Sequence, residues 1–398
     1  MLRLIQAVFK PTSLIWRQVA FDKVDVEFLP SGRLTITRQH STDTHIPQIQ
    51  YVYTDAKRRK RSALIPPPRR GGRSAKMTDR FAMVERFVPS LHRVGPREWM
   101  DDRTTEHLSF SEVCEKYPEY LPAEIFGLRR PVDEWLTNLL RSVSTQFIET
   151  QRLRKRRPPS EYGREESDHA VERLAQDLSR RIKDSIRDSG TVGASLDRTF
   201  PKRILEGTLP AHATEESIRA RYKQVELTRG RLMTVGLLDA EEQVPLPETT
   251  LDQAERKVLW FYLEDVEKKF HVHQPLLERA ELFKMIIDAK RFLHKSMELS
   301  RDDGFRFVSE GGHRVALELL SSGEQHEVVL TYELLFSSRG KQLILIDEPE
   351  LSLHVVWQRK FLRDMQRIAQ VADLDFVIAT HSPAIIGDRD DLMVGLSG

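Results

Sequence analysis

Leu343-Ile344-Leu345-Ile346-Asp347-Glu348-Pro349 decides how this chain is read. Four successive aliphatic residues leave no polar face, so the run fits a strand covered on both sides, as in a parallel sheet between helical layers. Two carboxylates then emerge at its carboxyl end, the rim where ligands of open α/β sheets sit. Successive side chains of a strand point to opposite faces, so the two acids cannot share one task. Asp347 is placed to hold a magnesium ion, directly or through water. Glu348 can take the proton of a water that attacks a terminal phosphate. Pro349 ends the strand, because it has no N–H for the ladder.

Working outward, Val355–Ala372 reads as a helix and Phe376-Val377-Ile378-Ala379 as a second buried strand. That β–α–β order implies a parallel sheet with right-handed crossovers. Thr380-His381-Ser382-Pro383 follows, and an imidazole at that strand end can hydrogen-bond a terminal phosphate or the attacking water. A histidine there can equally cap the next helix. Upstream, Ser321-Ser322-Gly323-Glu324-Gln325 opens a helix carrying Val328, Val329, Tyr332, Leu335 and Phe336. Its free N–H groups and positive dipole end form an anion site, with Gly323 allowing close approach and Ser322 adding a hydroxyl. An ordinary serine cap gives the same pattern. The order and spacing of the three segments carry the reading further than any one of them.

The remainder of the 398 residues sets limits. No apolar run approaches the roughly 20 residues that cross a bilayer. The amphipathic start, Met1 to Phe9, reads as too short and polar for a secretory h-region. The single cysteine, Cys114, excludes an internal disulfide and a cysteine-rich zinc site, which points to a cytoplasmic home. Net charge is +2, yet nine basic residues and no acidic one lie between Lys57 and Lys76. A second basic run, Arg152 to Arg157, precedes Pro158-Pro159. Both read as solvated loops, or as contacts for nucleic-acid phosphates.

Val24–Phe28, Leu34–Ile36 and Tyr51–Tyr53 predict a small antiparallel sheet with a turn at Pro30-Ser31-Gly32. Trp135, Leu136, Leu139 and Leu140 share a helical face, and Val143 to Ile148 reads as a strand. From about Glu165 to Arg291 the pattern is helical. Val171, Leu174, Leu178, Ile182 and Ile186 form one stripe. Prolines 201, 210, 245 and 247 are expected to interrupt the helices, and Pro275 to break the last one. Short β-type runs, Ser296–Leu299 and Phe305–Val308, then restart a sheet. The expected division is 1–153 (first part of the core with a β subdomain and basic loop), 154–294 (helical insertion) and 295–398 (second part of the core).

On these segments the chain resembles the ABC-type ATPase core of the SMC, RecF and OLD families. More narrowly, it is similar to the ATPase subunits of Septu-like and retron-linked phage-defence systems. The likeness also takes in Phe147–Leu153, Leu196–Arg203 and Leu320–Leu335. It implies an α/β, ABC-type P-loop NTPase fold: a parallel sheet flanked by helices, a small antiparallel β subdomain and a large inserted helical lobe. It makes Ser321, Ser322, Gly323, Glu324 and Gln325 the signature motif, Asp347 and Glu348 the Walker B acids, and His381 the switch histidine. Glu350 to His354 match the D-loop, with Ser352 at the nucleotide, and Gln151 matches the Q-loop by its place after a strand. ATP and Mg2+ are the implied ligands, sandwiched head to tail in a homodimer or larger oligomer. A separate nuclease effector and DNA or RNA are implied partners; a membrane is not.

One part of that pattern is missing. The only Gly-Lys pair, Gly340-Lys341, is followed by Gln342 and stands just before the Asp-Glu strand, so no Gly-Lys-Ser/Thr loop is present. Leu2 to Val8 resembles the helix that follows such a loop, so the first strand and phosphate loop are expected to be absent from this chain. Either initiation is placed too far downstream, or the chain lends its signature helix to an intact partner. A DNA-binding clamp of the RecF or SMC type and a non-catalytic scaffold are the alternatives to a regulatory ATPase.

Overall fold

The structure is a computed structural model and describes residues 2–10, 16, 19, 21–28, 31–39, 48–65, 77–88, 91–101, 106–117, 121, 132–149, 165–240, 242, 244–290, 292, 294–338, 340–351 and 353–395. Two compact units emerge from the packing. One comprises residues 1–148, 341–347 and 377–379; the other comprises 149–340, 348–376 and 380–398.

In the first unit, β1 (Lys23–Phe28), β2 (Gly32–Gln39), β3 (Gln48–Asp55) and β4 (Lys60–Ile65) form an antiparallel sheet in sequence order. The register pairs Ile36 with Tyr51 and Tyr51 with Ala63, which places all three on one buried face. Trp16 and the helix Glu134–Arg141 cover that face with Leu136 and Leu140. Residues 60–65, expected in a loop, instead form β4. Ala63 and Ile65 reach the core while Ser62 and Leu64 face outward, so the period-two pattern outweighs the charge run of Lys60-Arg61. A second small sheet, with strands Leu91–Gly95, Glu98–Asp101 and Glu106–Ser109, packs Trp99 and Leu108 with Phe81 and Val113; the sequence reading placed nothing there.

The site-bearing sheet has the order β13–β12–β8, with β8 (Ser144–Glu149), β12 (Gln342–Asp347) and β13 (Leu374–Ala379). Ile344, Leu345 and Ile346 are fully buried, as a strand covered on both faces requires. The helix α1 (Leu2–Val8) sets Leu2 against Leu345 and Phe147. Burying such side chains contributes about 1.5–3 kcal/mol each and fixes where the strand delivers its acids.

In the second unit three helices dominate: Glu165–Glu206, Glu215–Thr234 and Gln253–Ala289. Pro201 and Pro275 lie inside the first and third, so neither interrupts as expected. A proline costs one backbone bond, and the tertiary contacts of these long helices outweigh it. Arg203 makes a two-pronged contact with Asp265 at 2.6 and 2.7 Å, and Lys269 reaches Asp197 at 3.1 Å, so the Leu196–Arg203 stretch clamps the first helix to the third. The antiparallel strands Lys295–Ser300, Gly304–Ser309 and Arg314–Val315 pack beside them. Gly304, at φ +70°, is required there, because a Cβ would lie 1.9 Å from the Ala175 carbonyl oxygen.

Candidate active site

The Ser321–Gln325 turn opens α8 (Ser322–Tyr332). Ser321 is its N-cap: the hydroxyl accepts from the Glu324 N–H at 3.3 Å, and the Ser321 N–H donates to Glu324 Oε2 at 2.8 Å. This capping box occupies Ser321 and Glu324 with each other. Glu324 is buried and also receives the Lys295 ammonium at 3.0 Å, so its carboxylate is committed to holding the turn. Gln325 donates to the Leu320 carbonyl at 3.2 Å. Ser322 remains exposed at the first turn, with Gly323 beside it.

Gly323 is informative. Among the described residues a Cβ there would meet only Trp357, at 3.9 Å, so none of them demands a glycine. Glycine inside a helix costs about 0.5–1 kcal/mol relative to alanine. Open space over exposed N–H groups at a positive dipole end is what an anion needs to approach closely. The far end of α8 is anchored by aromatic packing: Tyr332 lies 5.7 Å from Phe283 and 4.6 Å from Phe336. The Tyr332 hydroxyl donates to Asp177 at 2.7 Å. Burial pushes the Asp177 carboxyl up, but the hydrogen bonds from Tyr332 and Arg181 outweigh it and hold the group below its ordinary value.

Asp347 ends β12, half-buried, and Glu348 follows it in the chain. Glu348 adopts φ +46°, a left-handed backbone rare for a residue with a side chain. The turn Pro349–Leu351 closes on it, with the Leu351 N–H donating to the Glu348 carbonyl at 3.1 Å. His381, two residues beyond β13, brings Nε2 to 3.9 Å from Glu348 Oε1. The imidazole is 91% exposed and the Glu348 side chain 42%, so both are accessible to a ligand. The backbone of residues 380–382 is tied down: the Glu350 carboxylate accepts from the Thr380 hydroxyl at 2.7 Å and from the His381 N–H at 2.8 Å. Ser382, not His381, stands at the N-cap position of the short helix Pro383–Ile386, with its hydroxyl donated to Gln358.

The structure thus brings Glu348 and His381 together, with Asp347 adjoining in sequence. The contacts of the Ser321–Gln325 turn run to Lys295, Leu320 and its own cap. Gln151 and Ser352 lie outside the described residues, as do residues 66–76 and 152–157 of the basic runs. Glu350, Thr380 and Lys295 acquire roles that the sequence reading did not assign. Thr380 and Glu350 stood within the quoted motifs, but their partnership spans thirty residues and has no sequence signal.

Mg2+ ordinarily takes one or two carboxylates plus phosphate oxygens rather than an all-protein cage, and the single carboxylate of Asp347 at the end of β12 fits that donor set. No cluster of three or more His, Cys, Asp or Glu side chains suited to a metal occurs among the described residues.

A parallel sheet and helices in a mixed α/β arrangement fit an ABC-type P-loop NTPase fold. The family described as "AAA domain, putative AbiEii toxin, Type IV TA system" matches residues 139–387, more than half of the chain, and the chain belongs to that family. A solved structure of the Smc head domain with an extended coiled coil, bound to the C-terminal domain of ScpA and derived from Pyrococcus furiosus, is similar at 11% identity and TM-score 0.25. The similarity covers 89% of this chain and 72% of that one. No helix among the described residues is long and apolar enough to cross a membrane.

Proposed function

We propose that this chain is one half of a paired ATPase that regulates a partner protein. The observation that carries the reading is the approach of Glu348 Oε1 to His381 Nε2, 3.9 Å, at the carboxyl ends of β12 and β13. In this reading Glu348 accepts the proton of a water aimed at the γ-phosphate, and His381 hydrogen-bonds the γ-phosphate oxygens. Mg2+ held by Asp347 would neutralise charge on the β- and γ-phosphates. Ser322 and the first N–H groups of α8 complete the site of a second copy, closing over a triphosphate held there. ATP then acts as glue between copies, and its hydrolysis releases them.

The family's description names a putative toxin of a type IV toxin–antitoxin system, and the sequence resembles phage-defence ATPases. Both support a regulatory role toward an effector, such as a separate nuclease. A second reading, contact with a nucleic acid, is favoured by the exposed basic residues Lys57 to Arg61 between and along β3 and β4.

Residues 1–398 contain no Gly-Lys-Ser/Thr loop, so weak nucleotide affinity and slow turnover are expected of this chain by itself. The test is light scattering of Glu348→Gln with and without millimolar Mg-ATP. Removing the base stops turnover, so the ATP-bound mass should double, and Ser322→Arg in the same background should abolish the doubling. An unchanged mass at saturating nucleotide overturns the paired reading.

A further inference from the structure

We propose that Glu350 is the positioning residue that aims His381, a role deepening the ATPase reading and resting on it. The imidazole of His381 is almost wholly exposed, and its Nε2 approaches Glu348 Oε1 at 3.9 Å. Among the described residues no hydrogen bond holds its ring, so its aim is set by its backbone.

That backbone is held from one side. Glu350 Oε1 accepts the His381 N–H at 2.8 Å, and Oε2 accepts the Thr380 hydroxyl at 2.7 Å. Thr380 Oγ1 in turn accepts the Ser382 N–H at 3.0 Å. The Ser382 hydroxyl donates to Gln358 Oε1 at 2.8 Å, and Gln358 Nε2 donates back to the Glu350 carbonyl at 3.3 Å and the Leu353 carbonyl at 3.2 Å. The network therefore closes on itself, with Glu350 at both ends. A carboxylate accepting two donors is a stronger tether than a neutral pair.

The same short turn also holds the other member of the site. Glu350 lies within Pro349–Leu351, whose Leu351 N–H takes the Glu348 carbonyl. One turn thus sets the strained backbone of Glu348 and, through a carboxylate, the backbone of His381. Displacing that turn shifts both groups together.

The test combines amide hydrogen exchange with single-turnover ATP hydrolysis on Glu350→Ala, Glu350→Gln and Thr380→Val. Exchange at His381 and Ser382 should quicken about tenfold in Glu350→Ala, the effect of losing a charged hydrogen bond. The rate of hydrolysis should fall about 10- to 100-fold with KM for ATP little changed, because misplacement of an aiming group affects the chemical step. Glu350→Gln keeps an acceptor for the His381 N–H and an amide N–H that Thr380 Oγ1 can accept, so it should retain most of both. Thr380→Val, which keeps the His381 bond, should fall between. Unchanged exchange in Glu350→Ala overturns the tether, and equal damage from Glu350→Gln shows a charge role and overturns positioning. Exchange needs no nucleotide, so a wild type without any turnover sinks the ATPase reading separately.

Discussion

At the scale of single residues, Glu348 is where the local rules are broken. Its left-handed φ of +46° costs a residue with a Cβ about 1–2 kcal/mol. Such strain survives where the surroundings overdetermine it, here through the turn that begins at Pro349. The placement of the two acids at a strand end was legible in the sequence, because four aliphatic residues in a row fit a strand covered on both faces. The strain was not, since φ at Glu348 depends on how residues 349–351 close behind it. Asparagine tolerates this backbone better than glutamate does. Glu348→Asn should therefore raise the unfolding free energy by about 0.5–1 kcal/mol, read from the urea midpoint, while abolishing hydrolysis. A variant no more stable than the wild type would show that the conformation carries no strain.

Elements were legible in proportion to how local their cause is. The helix Val355–Ala372 emerges with the predicted ends, and β12 with its buried face. Pro275 misled the reading, because a proline is judged locally while the helix around it is stabilised by distant partners. What joins the helices was invisible for the same reason. Lys290, the C-cap of Gln253–Ala289, has a side chain with 0% exposure. Its ammonium lies 3.0 Å from Glu327 on α8 and 2.9 Å from Asp364 on the helix Val355–Ala372. One cation thus ties three helices, including the one that carries the Ser321–Gln325 turn. Burial pushes Lys290 down, but the two carboxylates outweigh it and hold it above its usual value. Burial raises Glu327, and Lys290 only partly opposes this. Lys290→Met leaves two carboxylates buried without their cation and should cost about 3–5 kcal/mol in urea unfolding. Adding Glu327→Gln and Asp364→Asn should recover most of that loss, since polar neutral groups need no counter-charge. A single variant within 1 kcal/mol of wild type, an interval at the scale of one ordinary hydrogen bond, would show that the triad ties nothing.

Across the whole molecule, a net charge of +2 conceals a strong local asymmetry. Lys57, Arg58, Arg59, Lys60 and Arg61 are all exposed, at the β3–β4 turn and the start of β4, the outer strand of its sheet. The Asp55 carboxylate pairs with the Arg59 side chain at 2.9 Å, and Arg58 takes a left-handed turn conformation at φ +62°. Four cations concentrated on one hairpin end create a field that a polyanion reaches before any shape-specific contact forms. Weak, sequence-independent binding to short duplex DNA is therefore expected at low salt. If all four cations meet phosphates, the slope of log affinity against log salt should approach about −3 to −4. Reversing Lys57, Arg58 and Lys60 to glutamate, and sparing the paired Arg59, should remove most of the affinity without changing ATP-dependent pairing. Absence of affinity at low salt, or a slope indifferent to the reversals, would leave these cations with the other task that charge performs on an outer strand: keeping its unpaired edge from recruiting another chain.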